Sequence, residues 1–575
     1  MKNGLIAILN IQAGQNNTHL KKRLSIIILF VWCVTTLALA QNDTVVSTST
    51  QSEKEITFVY LENSEKLIFD QNRLPDAQVL IGDVLFRHDS VLMYCDSAYF
   101  YEKKNSLDAF GNVRILQGDS MTIYGDLLFY DGNTRIARLR KNVKLDNKST
   151  TVTTDSLNYH RDTEIAYYFN GGEIKDSLNT LTSIIGTYYS NTDVAYFKNN
   201  VKLTNINFDL YSDSLKYNTQ TKIADLVDTT KIIYQKETTI NANGGWYNTE
   251  NENSQLLYRS EILHDDGKTM IGDTILYDKK IKNAEVWGNM ELCDSVQKAT
   301  LYGNYGQYNE VTEVGFATKE PLFVDWSNSD SIFIHADSLY VKKDSTYNLV
   351  LGYNKVRLFK TDAQMVCDSL AYSERDSIIN LYYDPIMWNG NTQISGDFVQ
   401  AFILDGAIDK AYFTGKAISI RQVDANRFDQ LSGKEIIAHM DSGVLSQVDV
   451  DGNAETIFYP AEEDGTLLGV NKTVSSFIKM FFKNETIDRA IFTTETTGTM
   501  YPLGQLSKEE ARLSTFFWAE QERPKSKMDL FSDPEKTVRA TGTKSAASTP
   551  KGNKKNKSDA IGKRQFSTMK PMSGE

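Results

Sequence analysis

From Glu55 to about Glu495 the chain alternates apolar and polar residues with a period of two, and the pattern returns about every thirty residues. In one copy Ala109, Gly111, Val113 and Ile115 share a face, while Asp108, Asn112 and Arg114 share the other. A second copy sets Leu139, Val143 and Leu145 against Arg138, Arg140, Asn142 and Lys144. A third places Val201 and Leu203 around Lys202, and a fourth sets Ala284, Val286, Met290 and Leu292 against Glu285, Asn289 and Glu291. Helical spacing cannot produce this order, so the pattern predicts strands with one buried face.

A second phrase falls between these copies: an aspartate followed by apolar positions. It reads Asp96-Ser97-Ala98-Tyr99-Phe100, Asp126-Leu127-Leu128-Phe129-Tyr130, Asp155-Ser156-Leu157-Asn158-Tyr159 and Asp213-Ser214-Leu215-Lys216-Tyr217, and returns at Asp273, Asp337 and Asp368. Its parity would set Asp126 beside Leu128 and Tyr130 on one face. Glycine often precedes the aspartate, as at Gly125, Gly272 and Gly396. A glycine inside a strand pattern marks a bulge or bend, so this phrase reads as a strand turning a corner. Turn signals such as Asp131-Gly132-Asn133 and Asn170-Gly171-Gly172 separate the strands. Each unit cannot bury its own apolar face, and stacked neighbours must do so. The expected fold is all-β, a sandwich, jelly roll or solenoid without intervening helices. If about fifteen units each add one strand per sheet at about 4.8 Å, the body is on the order of 70 Å long.

Composition narrows the function. Thirty Tyr and 27 Phe against nine Pro in 575 residues favour strands. A net charge of −12 argues against nucleic acid along the main body. At the N-terminus Lys21-Lys22-Arg23, the apolar run Leu24 to Leu37 and Ala38-Leu39-Ala40 have the form of a cleaved export signal over residues 1–40. A linker at 41–54 follows. Cys95, Cys293 and Cys367 are too few for a disulfide framework and read as buried small hydrophobes. Near the C-terminus Ser507 and Glu510 form a capping box, which predicts a helix to about Arg523 within a segment spanning 496–531. Residues 532–575 are poor in apolar residues and basic, the composition of a disordered tail.

The chemistry of hydrolases is not evident. His88, His160, His264, His335 and His439 lie far apart and in no metal-ligand spacing. No Gly-x-Ser-x-Gly elbow occurs. The serines of the Asp-Ser phrase recur from unit to unit as a structural habit, and the aspartates read as caps of turn backbone. The reading is non-enzymatic, with no catalytic residue, metal or cofactor.

The combination of export signal with repeated Gly-Asn-Val and Gly-Asp-x-Leu phrases resembles the OstA-like family. The passage that carries it runs from Gly111-Asn112-Val113 through Tyr124-Gly125-Asp126-Leu127-Leu128-Phe129-Tyr130 to Asn142-Val143-Lys144-Leu145. The resemblance implies an elongated twisted β-jelly roll in which an N-terminal module at 55–160 continues as repeats over 161–495. It also implies an apolar groove that shields acyl chains of lipopolysaccharide, or a related envelope lipid, on the way to the outer membrane. The expected residues lining that groove are Ala109, Val113, Ile115, Leu139, Val143, Leu145, Val201, Leu203, Val286, Met290 and Leu292. The expected place is the periplasm, beside other envelope lipid-transport proteins. End-to-end self-association through sheet edges stays open. So does a second reading, an envelope scaffold in which the same residues form a closed dry core.

Overall fold

The computed structural model describes residues 57–537, except 345, 346, 463, 484 and 485. Of these, 66% lie in strands and 2% are helical, so the fold is all-β. Every pairing is antiparallel, and the chain advances as one meander in which each pass across the sheet pairs with the next. The segments expected to be the export signal and linker, and the tail beyond residue 537, lie outside the described residues.

The strands are bent at their middles. In Ser106–Gln117 the pairing with Met121–Asp131 slips between Phe110 and Val113. The following pair slips between Tyr124 and Leu127, and the next between Arg140 and Val143. These slips line up as a crease dividing the meander into two facing layers. Thr150–His160 shows the fork directly: Thr151–Thr154 pair with Gly172–Lys175, whereas Leu157–His160 pair with Ile165–Tyr168. On other passes the strand is broken in two at the crease. Counting a broken strand once, the chain makes twenty-eight passes across the crease, eighteen continuous and ten broken, among the described residues.

The two sequence phrases together build this crease. Consecutive residues with left-handed backbone occupy it on most alternate passes, among them Gly111-Asn112, Lys141-Asn142, Asn199-Asn200 and Gly288-Asn289. Asparagine tolerates positive φ better than most residues, and glycine does so without steric cost. At Gly111 and Gly288 a Cβ would also collide with the carboxylates of Asp96 and Asp273. Those carboxylates accept from the next pass: Asn112 Nδ2 donates to Asp96 at 2.8 Å, Asn142 to Asp126 at 2.7 Å and Asn289 to Asp273 at 2.7 Å. The aspartate thus braces a neighbouring corner rather than capping its own turn. It also resolves the parity conflict, because the inward set switches from Met121, Ile123 and Gly125 to Leu128 and Tyr130 as the strand passes Asp126.

Between the layers lies one core cluster, from Val59 to Met480. Cys95 belongs to it as a free thiol, and burial pushes its pKa up to about 12. Each thirty-residue repeat carries two passes, not one strand per sheet. At about 4.8 Å per pass the array is on the order of 130 Å along its hydrogen-bonding direction, nearly twice the sequence-based figure.

The C-terminal segment departs from expectation. Its capping box forms, with Ser507 N–H donating to Glu510 at 2.9 Å and Glu510 N–H to Ser507 Oγ at 3.3 Å. It supports a single turn closed by Ala511 N–H on Ser507 O, and no α-helix follows among the described residues. The chain instead runs back as an irregular strap over the outer face of one layer, interrupted by single 3-10 turns at Glu520–Glu522 and Asp529–Phe531. Leu513, Phe517 and Ala519 are buried there, the latter two against Val366, Ile386, Trp388, Ile418, Ile420 and Phe428. Glutamine side chains act as substitute strands. Gln430 donates to Ala511 O and accepts from Leu513 N–H, and Gln393 does the same with Phe517 O and Ala519 N–H, all at 2.8–3.0 Å. These tertiary partners, spaced for an extended chain, outweigh the local preference for helix.

Candidate functional site

Because each pass ends in a hairpin turn on either side, the turns form two rows opposite the crease, one along the free edge of each layer. Within a row, successive turns are joined by backbone hydrogen bonds. Gly132 N–H donates to Asn105 O, Thr219 to Asp193 O and Thr249 to Lys222 O in one row; Lys148 donates to Ser120 O and Asp265 to Glu237 O in the other. These rows are the lips of the space between the layers, and what spans them decides whether the interior is open.

Over the N-terminal part polar side chains bridge the lips. His88 pairs with Tyr130 OH at 2.6 Å, and Asn147 donates to Tyr188 OH at 3.0 Å. Asn179 reaches Tyr217 OH at 2.7 Å and Thr249 Oγ1 at 2.8 Å, and Lys222 meets Asp176 at 3.0 Å. Burial works to raise the Asp176 pKa, but the Tyr217 hydroxyl, two backbone N–H groups and Lys222 overcome it and hold the carboxyl below its ordinary value. The lips meet again further on, where Asn389 donates to Gly443 O at 2.8 Å.

Between these closures the lips part. A cavity of about 410 Å³ opens between Tyr234–Thr238 and His264–Met270 on one side and Glu252, Lys279, Lys282, Glu310 and Glu313 on the other. Its volume falls in the range of small-ligand sites. The floor is apolar: Ile240, Tyr247, Ile262, Met270, Tyr277, Leu292 and Tyr308. Tyr130, Tyr159 and Tyr217, at the corresponding place in earlier repeats, are 2% exposed or less, whereas Tyr277 and Tyr308 are only half-buried. A smaller void of about 60 Å³ continues past Leu292 and Tyr308 to Leu301, Phe323 and Val341.

Among the described residues three contacts cross this mouth, one of them at its N-terminal end, where Asn207 donates to Glu252 at 2.6 Å. Lys268 Nζ meets Glu313 at 3.3 Å while holding Asp266 at 2.9 Å on its own lip, and Lys279 Nζ donates to Tyr234 OH at 2.9 Å. Burial acts to lower the Lys268 pKa, but these two carboxylates keep it above its ordinary value. The rim therefore carries both signs of charge, largely paired.

Ten of the eleven residues singled out from sequence, namely Ala109, Val113, Ile115, Leu139, Val143, Leu145, Val201, Leu203, Val286 and Met290, are 2% exposed or less in the shared core. Leu292 alone of that set lines the cavity. Sequence reasoning missed Tyr234, Tyr277, Tyr308, Met270 and Lys268. A signal was present. Along the closed stretch the lip facing the tyrosines supplies Asn147, Asn179 and Asn205, while the open stretch supplies His264-Asp265-Asp266. Among the described residues no cluster of three or more His, Cys, Asp or Glu is arranged to hold a metal, and no helix is long and apolar enough to cross a membrane.

No curated protein matches the chain. Residues 56–213, the first part of the creased array, match the model of the family described as OstA-like protein.

Proposed function

We propose that this protein is a periplasmic, non-enzymatic lipid-transport bridge that shields acyl chains of lipopolysaccharide or a related envelope lipid between its two layers. The OstA-like match supports a transport-type envelope protein. The observation that carries the reading further is the continuous apolar interior, which gapes into a cavity floored by Ile262, Met270, Leu292 and tyrosine rings. Each methylene moved from water into such a space contributes about 0.8 kcal/mol, enough to hold a chain of ordinary length without any chemical step. The residues named from sequence belong to the same interior and would meet a chain wherever the layers part. Other envelope lipid-transport proteins would hand lipid on at either end.

The second reading, an envelope scaffold, is favoured by the bridged lips, under which Val113, Val143 and Leu145 pack as a dry core. Mass spectrometry of protein extracted gently from the native envelope separates the two. Transport predicts a stoichiometric acylated lipid; repeated recovery of lipid-free protein favours the scaffold.

A further inference from the structure

We infer that lipid is taken up sideways, through a single gated port between the lips at Tyr234–Thr238/His264–Met270 and Lys279–Lys282/Glu310–Glu313, rather than by sliding along an open trough. This rests on the lipid-transport reading above and adds where and how the interior opens.

The geometry supports a port on three counts. First, the lips are bridged on both sides of it by hydrogen bonds involving largely buried groups, Asn179 to Tyr217 and Thr249 before it and Asn389 to Gly443 after it. Opening those stretches would leave buried donors and acceptors without partners, which is costly. At the port two of the three bridges, Lys268 to Glu313 and Lys279 to Tyr234, join charged or phenolic groups that reach water, so parting them exposes groups that water solvates. Second, the cavity is directional. On the N-terminal side Tyr247 packs edge-on against Phe208 at 5.0 Å between ring centroids and blocks the interior. On the C-terminal side the smaller void shares Lys268, Leu292, Tyr308 and Glu313 with the port, so a chain admitted here is led towards Phe323 and Val341. Third, the port has a latch. Lys268 is held on its own lip by Asp266 and reaches across to Glu313, so the cross-lip contact can break without leaving the lysine unpaired.

The port takes an amphiphile tail-first: a single acyl chain inside, with the polar head left among Lys268, Lys279, Glu252 and Glu310 at the rim.

The test uses the full mature chain and cis-parinaric acid, a fluorescent fatty acid, with uptake followed by stopped flow. Glu313→Gln breaks the latch and leaves Lys268 with Asp266, so the uptake rate should rise, by up to about fivefold for a partly exposed ion pair. Glu313→Asp, which keeps a carboxylate facing Lys268, should hold the rate nearer the original. A photo-crosslinking residue at Leu292 should label the fatty acid, while one at Leu145, beneath bridged lips, should not. Equal labelling at Leu145 and Leu292, or an uptake rate that Glu313→Gln leaves unchanged, would overturn the port and leave the transport reading standing. Absence of labelling at every interior position, Leu292 included, would remove both.

Discussion

Gln393 offers the sharpest test of how the C-terminal strap is held. Its side chain is fully buried and makes two bonds to the strap backbone, 3.0 Å to Phe517 O and 2.9 Å from Ala519 N–H. Gln393→Leu keeps the volume but removes both partners. A buried amide group left unpaired costs about 1–3 kcal/mol, so two of them set an upper range of about 2–6 kcal/mol. Relaxation that admits water lowers this to about 2–4 kcal/mol. The strap would not detach altogether, because Gln430 still clamps Leu513 and Arg523 still donates to Gln364 at 2.8 Å. The loss is therefore local. In a stacked array, neighbouring units open semi-independently, and a global melting temperature would hide it. Amide hydrogen exchange at Ala519 reports it directly. A loss of about 2 kcal/mol lowers protection by about thirtyfold, while the Leu513 amide, held by Gln430, should change much less. Unchanged protection at Ala519 would refute the clamp and leave the packing of Phe517 on Trp388 and Ile420 as what holds the strap.

Other consequences are equally open to measurement. Gly111→Ala should destabilise the array locally by more than about 1 kcal/mol, since alanine at positive φ is strained and its methyl meets Asp96; Asn142→Gly, which removes one exposed bond but keeps a residue at ease with positive φ, should cost about 0.5–1.5 kcal/mol. Hydrogen exchange across the crease ranks the two, and equal effects would argue against the corner geometry. His88 is fully buried, and burial together with Arg161 holds its pKa below the ordinary 6.5. The unfolded segment then binds a proton that the folded one does not, so stability is intact above about pH 6.5 and falls as pH drops towards the lower folded value. Limited proteolysis near residue 88 should accelerate between pH 7.5 and 5.5, and His88→Gln should flatten that dependence. Electron micrographs of single particles should show rods on the order of 130 Å, and bodies near 70 Å would contradict two passes per repeat.

Much of this molecule is written locally. Strict alternation around Val113, Val143 and Met290 is a property of neighbouring residues, because a strand turns successive side chains to opposite faces. That alone dictated strands, a shared apolar face and an all-β class. The corner at Gly125-Asp126 was legible for the same reason: a break in parity is visible in the sequence. The partner of that corner was not. Asp126 is braced by Asn142, sixteen residues on, and only the register of adjacent passes brings the two together. The same holds for the count of passes, since two strands per repeat or one satisfy the same periodicity. The Ser507–Glu510 capping box was read correctly as a turn of helix but extended wrongly, because Gln430 and Gln393 offer the following backbone better partners from eighty and more residues away. Finally, the alternation around Leu145 and Leu292 does not distinguish them, since both face inwards; the only hint lay in the turns, asparagine on the closed stretch and His264-Asp265-Asp266 on the open one. One is sealed and the other lines a cavity because the lips above them are bridged by asparagine and tyrosine in one place and largely by charged residues in the other, and what those residues bridge is decided only once the two layers face each other.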